Sequence, residues 1–267
     1  MSFLTFAAEE GGGVQFPPIE NIIEWPNMIE SIAFNKISLI AVIGVVVPTL
    51  IFMLARGSSA ENPSKIRTVA EGIVNFVEEQ IAKPGIGHGF EPYVPLLTAL
   101  FLFIAIGNLF EVIPFFQMPL NARMAAPIVM ALAVWAMFIA VGIKHHGFTY
   151  IKDIIWPPNV PTALKPLVGF IEFFSVFIVR PFSHAVRLFA NMLAGHILLI
   201  TFGVLTITTV GAIGASLSGG ISFVAAIGSF LGLIAFTAFE VGVSFIQAFV
   251  FAILAAVYIG SSLHPAH

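Results

Sequence analysis

At 267 residues, 58% of them hydrophobic and only 9% charged, with a mean hydropathy of +1.02, the chain is excluded from the soluble proteins and reads as a single membrane domain, 1–267. Its net charge of −3 is too small to bring in nucleic acid as a partner. The absence of cysteine excludes disulfides, thiolate metal sites and cysteine nucleophiles, and neither a metal nor a cofactor is expected.

Residues 1–35 carry Glu9, Glu10, Glu20, Glu24 and Glu30 but no Lys or Arg, so they have neither the basic start of a signal peptide nor the character of a mitochondrial transit sequence. They read as an external N-terminal arm, flexible at Gly11-Gly12-Gly13 and kept from long helix by Pro17-Pro18 and Pro26. A first span is predicted over 37–55, kinked at Pro48. Asn62-Pro63 signals a helix start, and the pattern over 62–84 is amphipathic. Ile66, Val69, Ile73, Phe76, Val77 and Ile81 recur at steps of three and four, opposite Lys65, Arg67, Glu71, Asn75, Glu78 and Glu79. It is too polar to cross, lies on the membrane surface or a partner, and is stopped by Pro84-Gly85.

A second span is predicted over 94–116, with Asn108 and Glu111 one turn apart near its far end, at a protein interface or in interfacial water. A third covers 125–143 and ends at Lys144-His145-His146. Adjacent histidines point apart on a helix, so these two read as an interfacial pair rather than a metal site. Residues 147–165 are expected to form a loop whose Trp156 suits the headgroup belt.

Two apolar stretches remain, 165–210 and 220–260. Some forty residues make roughly 60 Å of helix, twice the hydrocarbon thickness. Each is either a broken double span or steeply tilted, and the lack of a loop signal at either midpoint favours tilt. The expected fold is all-α, with five membrane crossings, one amphipathic interfacial helix and a long tilted hairpin at the end. Arg56, Lys65, Arg67, Lys83, Lys144, Lys152 and Lys165 then fall on one side, and only Lys36 and Arg123 on the other. The rule that cytoplasmic loops are basic places the N-terminus outside and the C-terminus inside.

The first of the two long stretches contains Arg180-Pro181-Phe182-Ser183-His184-Ala185-Val186-Arg187-Leu188-Phe189-Ala190-Asn191-Met192-Leu193-Ala194-Gly195-His196. An arginine at the centre of a membrane helix costs about 2.5–3.5 kcal/mol on insertion scales, so it is kept only where it faces protein or water. Helical steps of three, four and seven put Arg180, Ser183, His184 and Asn191 on the face of Arg187, with His196 roughly opposite. In the second stretch Glu240, Ser244 and Gln247 share one face. From the residues alone, three readings stay open. Arg187 could stand in a proton path, pair with Glu172 or Glu240 to lock a scaffold, or bind an anionic substrate in a secondary transporter, which the missing internal repeat disfavours.

The run Arg187–His196 resembles the signature helix of subunit a of bacterial F-type ATP synthases. Two further blocks support the resemblance: Glu240-Val241-Gly242-Val243-Ser244-Phe245-Ile246-Gln247-Ala248-Phe249-Val250-Phe251, and Tyr93-Val94-Pro95-Leu96 through Gly107-Asn108-Leu109-Phe110-Glu111-Val112-Ile113-Pro114. It implies a non-catalytic stator subunit of the plasma membrane that forms two proton half-channels against the rotating c-ring. Arg187 is then the barrier and the partner of the rotor carboxylate. His196 and Glu240 form an outer-side relay pair on a path that Ser244 and Gln247 can line, and many relatives carry the acid and the His exchanged; Asn191, also in the proton pathway, supports Arg187 or hydrogen-bonds the partner helix. Glu172 belongs to the cytoplasmic path, although relatives commonly place that acid one residue nearer the Arg-Pro pair, and Ser183 and His184 join the proton pathway beside Arg187. The implied partners are the c-ring, peripheral-stalk b subunits, the rest of the ATP synthase, the lipid bilayer and protons. No Gly-x-x-x-x-Gly-Lys loop is present, so ATP chemistry lies elsewhere.

Overall fold

The computed structural model describes residues 35–57, 63–113, 116, 118–156, 160–213 and 219–264. The N-terminal arm up to residue 34, Asn62, the Pro157-Pro158 turn, the turn at Ser216-Leu217-Ser218 and the last three residues lie outside that set. All regular structure among the described residues is helical, and five helices are long and apolar enough to cross a membrane.

Helix α1, Lys36–Ala55, opens on Asn35, whose side chain accepts the Ser38 N–H at 3.0 Å. It runs on through Pro48 and buries one narrow stripe, Ile40, Gly44 and Pro48, at steps of four. The ring of Phe103 lies 3.2 Å from where a Cβ on Gly44 would stand. Val45, Leu50 and Met53 are left open, as suits a helix whose other faces meet lipid.

Helix α2, Lys65–Val77, is capped by Ser64, which accepts the Arg67 N–H at 3.3 Å. The expected start at Asn62-Pro63 is thus two residues early. The expected stop at Pro84-Gly85 is absent too. The helix passes through a π turn, Glu78–Ala82, into α3, Lys83–Ile86, and ends at Gly87 with φ +80°, a conformation glycine adopts without strain. In the π turn the Lys83 N–H donates to the Glu78 carbonyl, five residues back. Widening the turn just ahead of Pro84 relieves the clash a proline ring makes with the carbonyl four residues before it.

The same device recurs where it matters most. Helix α4, Val94–Leu109, is buried on nearly every side and forms the centre of the bundle; it ends seven residues before the expected boundary. Helix α5, Ala125–His146, follows, then a short helix α6, Thr149–Ile155, where only loop was expected. Helix α7, Lys165–Phe174, meets α8, Arg180–Ile213, through a second π turn, Ser175–Val179. Here the Arg180 N–H donates to Ser175, and Pro181 comes next. The Val176 carbonyl would take the N–H of residue 181, which proline lacks. Trp135 of α5 supplies the missing donor, its Nε1–H bonding the Val176 carbonyl at 3.1 Å.

Helix α9, Gly219–Leu263, packs antiparallel to α8. Asn191 meets Gln247, the Phe202 and Phe236 rings stack at 4.8 Å, and Thr209 Oγ1 lies 3.3 Å from Ser229 Oγ. The far end of α9 crosses α3 closely, since a Cβ on Gly260 would stand 2.5 Å from the Gly85 carbonyl. That end is tied down by the Tyr150–Ser262 hydroxyl bond at 2.8 Å.

Trp135→Phe keeps the ring but removes the donor to Val176. An orphaned buried carbonyl costs about 1–3 kcal/mol, so thermal unfolding of the solubilised protein should occur at a lower temperature. An unchanged melting temperature would mean that the bond does not support the π turn.

Candidate functional site

Helix α8 divides into two faces. Arg187, Ala190, Asn191 and Ala194 are exposed, and Ser183 and Arg180 are half-buried beside them. The opposite face, with Leu188, Met192, Gly195 and His196, is buried. Arg187 therefore lies on an open strip of small and polar side chains that another helix can approach closely.

His184 departs from the expected stripe. Its ring is buried, 3.8 Å from the Phe251 ring and 5.7 Å from that of Tyr258. Three residues from Arg187 is a rotation of about 60° short of a full turn, enough to carry the ring over the edge into the α8–α9 seam. Arg180 lies over the same Tyr258 ring at 5.4 Å, a cation–π contact that anchors the start of α8.

Glu240, Ser244 and Gln247 are all buried on α9. Asn191 Nδ2 donates to Gln247 Oε1 at 2.8 Å, bridging the two helices one turn beyond Arg187. The Glu240 carboxylate occupies the space where a side chain on Gly195 would be. This puts it against the residue that precedes His196.

The residue that sequence reasoning left without a role is Glu111. It sits buried in the turn just after α4, with its Oε1 3.7 Å from His196 Nδ1. It is also near enough to Glu240 for their charges to interact. Three ionisable groups from three parts of the chain thus converge behind α8. The block Gly107–Pro114 carried the signal, and of the two expected settings, a protein interface or interfacial water, the structure shows the first, with a partner the sequence did not name. Glu172 is not part of this cluster. It is half-buried on α7, about 22 Å along the helix from Arg187.

Several buried polar atoms here have no hydrogen-bond partner within the described residues: both Glu111 oxygens, Glu240 Oε2, Ser244 Oγ and, on the other flank, His184 Nε2. Each such atom costs about 1–3 kcal/mol if left dry, and a concentration of them is what a hydrated or proton-carrying path requires. Fold and site together define a multi-pass membrane protein with ionisable groups gathered between its apolar helices.

Comparison with known proteins makes this specific. The family model for the ATP synthase A chain matches residues 37–260. The chain is 36% identical over 260 residues to the ATP synthase subunit a of Frankia alni, covering 94% of this chain and 87% of that one. It is 37% identical over 268 residues to that of Rhodococcus erythropolis, with 99% and 94% covered. With that of Maricaulis maris the identity is 35% over 243 residues, covering 89% and 91%. The chain belongs to the ATP synthase A chain family, and as a member it is a non-catalytic, proton-translocating membrane subunit.

Gly195→Ala would push a methyl group into the Glu240 carboxylate. If the Glu240 carboxylate carries protons, proton-driven ATP synthesis in vesicles should fall about tenfold or more, since displacement of a reacting group by an ångström is enough for such losses. Retained wild-type rates would show that the carboxylate need not sit against α8.

Proposed function

We propose that this subunit forms two aqueous half-channels separated by Arg187, and that a rotor carboxylate exchanges its proton on either side of that residue. The observation that carries the reading is the division of α8: a permanent charge on the open strip, and the Glu111–His196–Glu240 cluster on the buried face. A guanidinium stays charged at physiological pH, repels a proton and attracts an ionised carboxylate. Ala190 and Ala194 beside it admit a rotor helix, while the peripheral-stalk b subunits are assigned to other faces.

The outer path runs through Glu111, His196 and Glu240, a His between two acids being suited to relaying protons near neutral pH. Ser244, Gln247 and Asn191 extend it toward Arg187. The inner path is assigned to Glu172 with Ser183 and His184. The π turn between Glu172 and Arg180 takes up one extra residue, a rotation of about 100°. That is the size of the offset between this acid and the position relatives commonly use. The subunit is assigned to a bacterial plasma membrane, and basic-residue asymmetry supports an N-terminus outside and a C-terminus in the cytoplasm.

Arg187→Ala should abolish ATP synthesis driven by a proton gradient while the complex stays assembled, as judged by retained subunits. Arg187→Lys should rescue poorly, because a lysine in the membrane can lose its charge. Near wild-type synthesis by Arg187→Ala would end the half-channel reading.

Topology is tested separately. Single cysteines at positions 15 and 265, introduced into a chain that has no cysteine of its own, should be labelled from opposite sides of sealed vesicles. Labelling from one side would overturn the orientation.

A further inference from the structure

We propose that Asn121 is a positioning residue for the proton path, clasping Asn108 so that the turn carrying Glu111 is held against His196. This rests on the reading of Glu111 as part of that path. The chain leaves α4 at Leu109 and returns in a buried one-turn helix, Leu120–Ala122. The base of this excursion is closed by two contacts. Leu120 packs over Gly107, where a Cβ would lie within 2.8 Å of its side chain. Beside it, Asn121 Nδ2 donates to Asn108 Oδ1 at 2.6 Å, with both side chains fully buried.

The clasp acts on Glu111 through one short link. The Glu111 N–H bonds the Asn108 carbonyl at 3.0 Å, so the residue held by Asn121 also sets the backbone of the acid. The other flank of the turn is apolar, with Phe110 and Leu120 packed on Ile40 in a small core of their own. Beside that core the amide pair is an expensive way to fill space: Asn108 Nδ2 and Asn121 Oδ1 have no partner within the described residues. What two amides offer at this place is direction without a competing charge. Neither side chain ionises, so the clasp orients the turn and presents a donor and an acceptor while holding no proton of its own.

The groups facing Glu111 are His196 of α8 and Glu240 of α9. Displacing the turn therefore changes how this set shares protons, as well as the rate.

The test uses the whole ATP synthase in sealed vesicles. Asn121→Ala and Asn108→Ala break the same bond from its two ends and leave the Ile40–Phe110–Leu120 core intact. Each should slow gradient-driven ATP synthesis about tenfold or more and shift the dependence of the rate on outer-side pH. In a Glu111→Gln background Asn121→Ala should add almost nothing, because the clasp acts through Glu111. Unchanged synthesis, a slower rate with an unshifted pH profile, or a loss that multiplies that of Glu111→Gln would each overturn the proposal. Failure of both alanine variants to assemble would also overturn it, by giving the pair a folding role. Wild-type synthesis by Glu111→Gln alone would instead remove Glu111 from the path, an outcome read independently of either asparagine.

Discussion

A guanidinium that cannot lose its charge, fixed inside a membrane helix, constrains most of what surrounds it. Arg187 must face water, protein or a partner's carboxylate, which fixes the rotation of α8. Once the Arg187 strip is turned outward, the residues half a turn away are turned inward, and His196 arrives among Glu111 and Glu240. The open and buried faces of α8 are thus one decision with two consequences. Small residues serve both: Ala190 and Ala194 keep the outer strip low, and Gly195 makes room for Glu240 on the inner side.

Helix α8 can hold this rotation only if the chain leading into it is stiff. Pro181 removes a donor at the point where stiffness is needed, and the π turn before it removes the steric clash. Trp135 then satisfies the one carbonyl that neither device can. A similar turn precedes Pro84, where the region around Gly85 and Gly260 brings α3 and α9 into close contact. In both places a proline lies within a helix that continues, because the residues before it adopt a wider turn.

Much of this was legible in the sequence. Long apolar runs dictate the helices, and an arginine within one of them demands a special role. The i, i+4, i+7 spacing of Glu240, Ser244 and Gln247 places them on one buried face. What was not legible depends on backbone details and long-range partners. A proline read as a stop at Pro84, because a π turn has no sequence signature of its own. His184 was counted with Arg187, although helix counting alone does not say where the seam between two helices falls. Glu111 lay in a recognised block, but its partner His196 is 85 residues away, and only the fold brings them together. The Asn121–Asn108 bond joins residues only 13 apart, yet nothing in their spacing says that the two amides meet.

In the proposed arrangement Arg187 separates a proton path running through the Glu111 cluster from a second path on the cytoplasmic side. Passive proton flow through vesicles carrying Arg187→Ala, compared with the same vesicles carrying Arg187→Ala together with Glu111→Gln, measures this most directly. Removing the barrier should open a leak, and closing the outer path should suppress that leak to the level of the unaltered protein. A leak that is unaffected by Glu111→Gln, in complexes that retain all their subunits, would show that protons pass Arg187 by a route outside the cluster and would contradict the account.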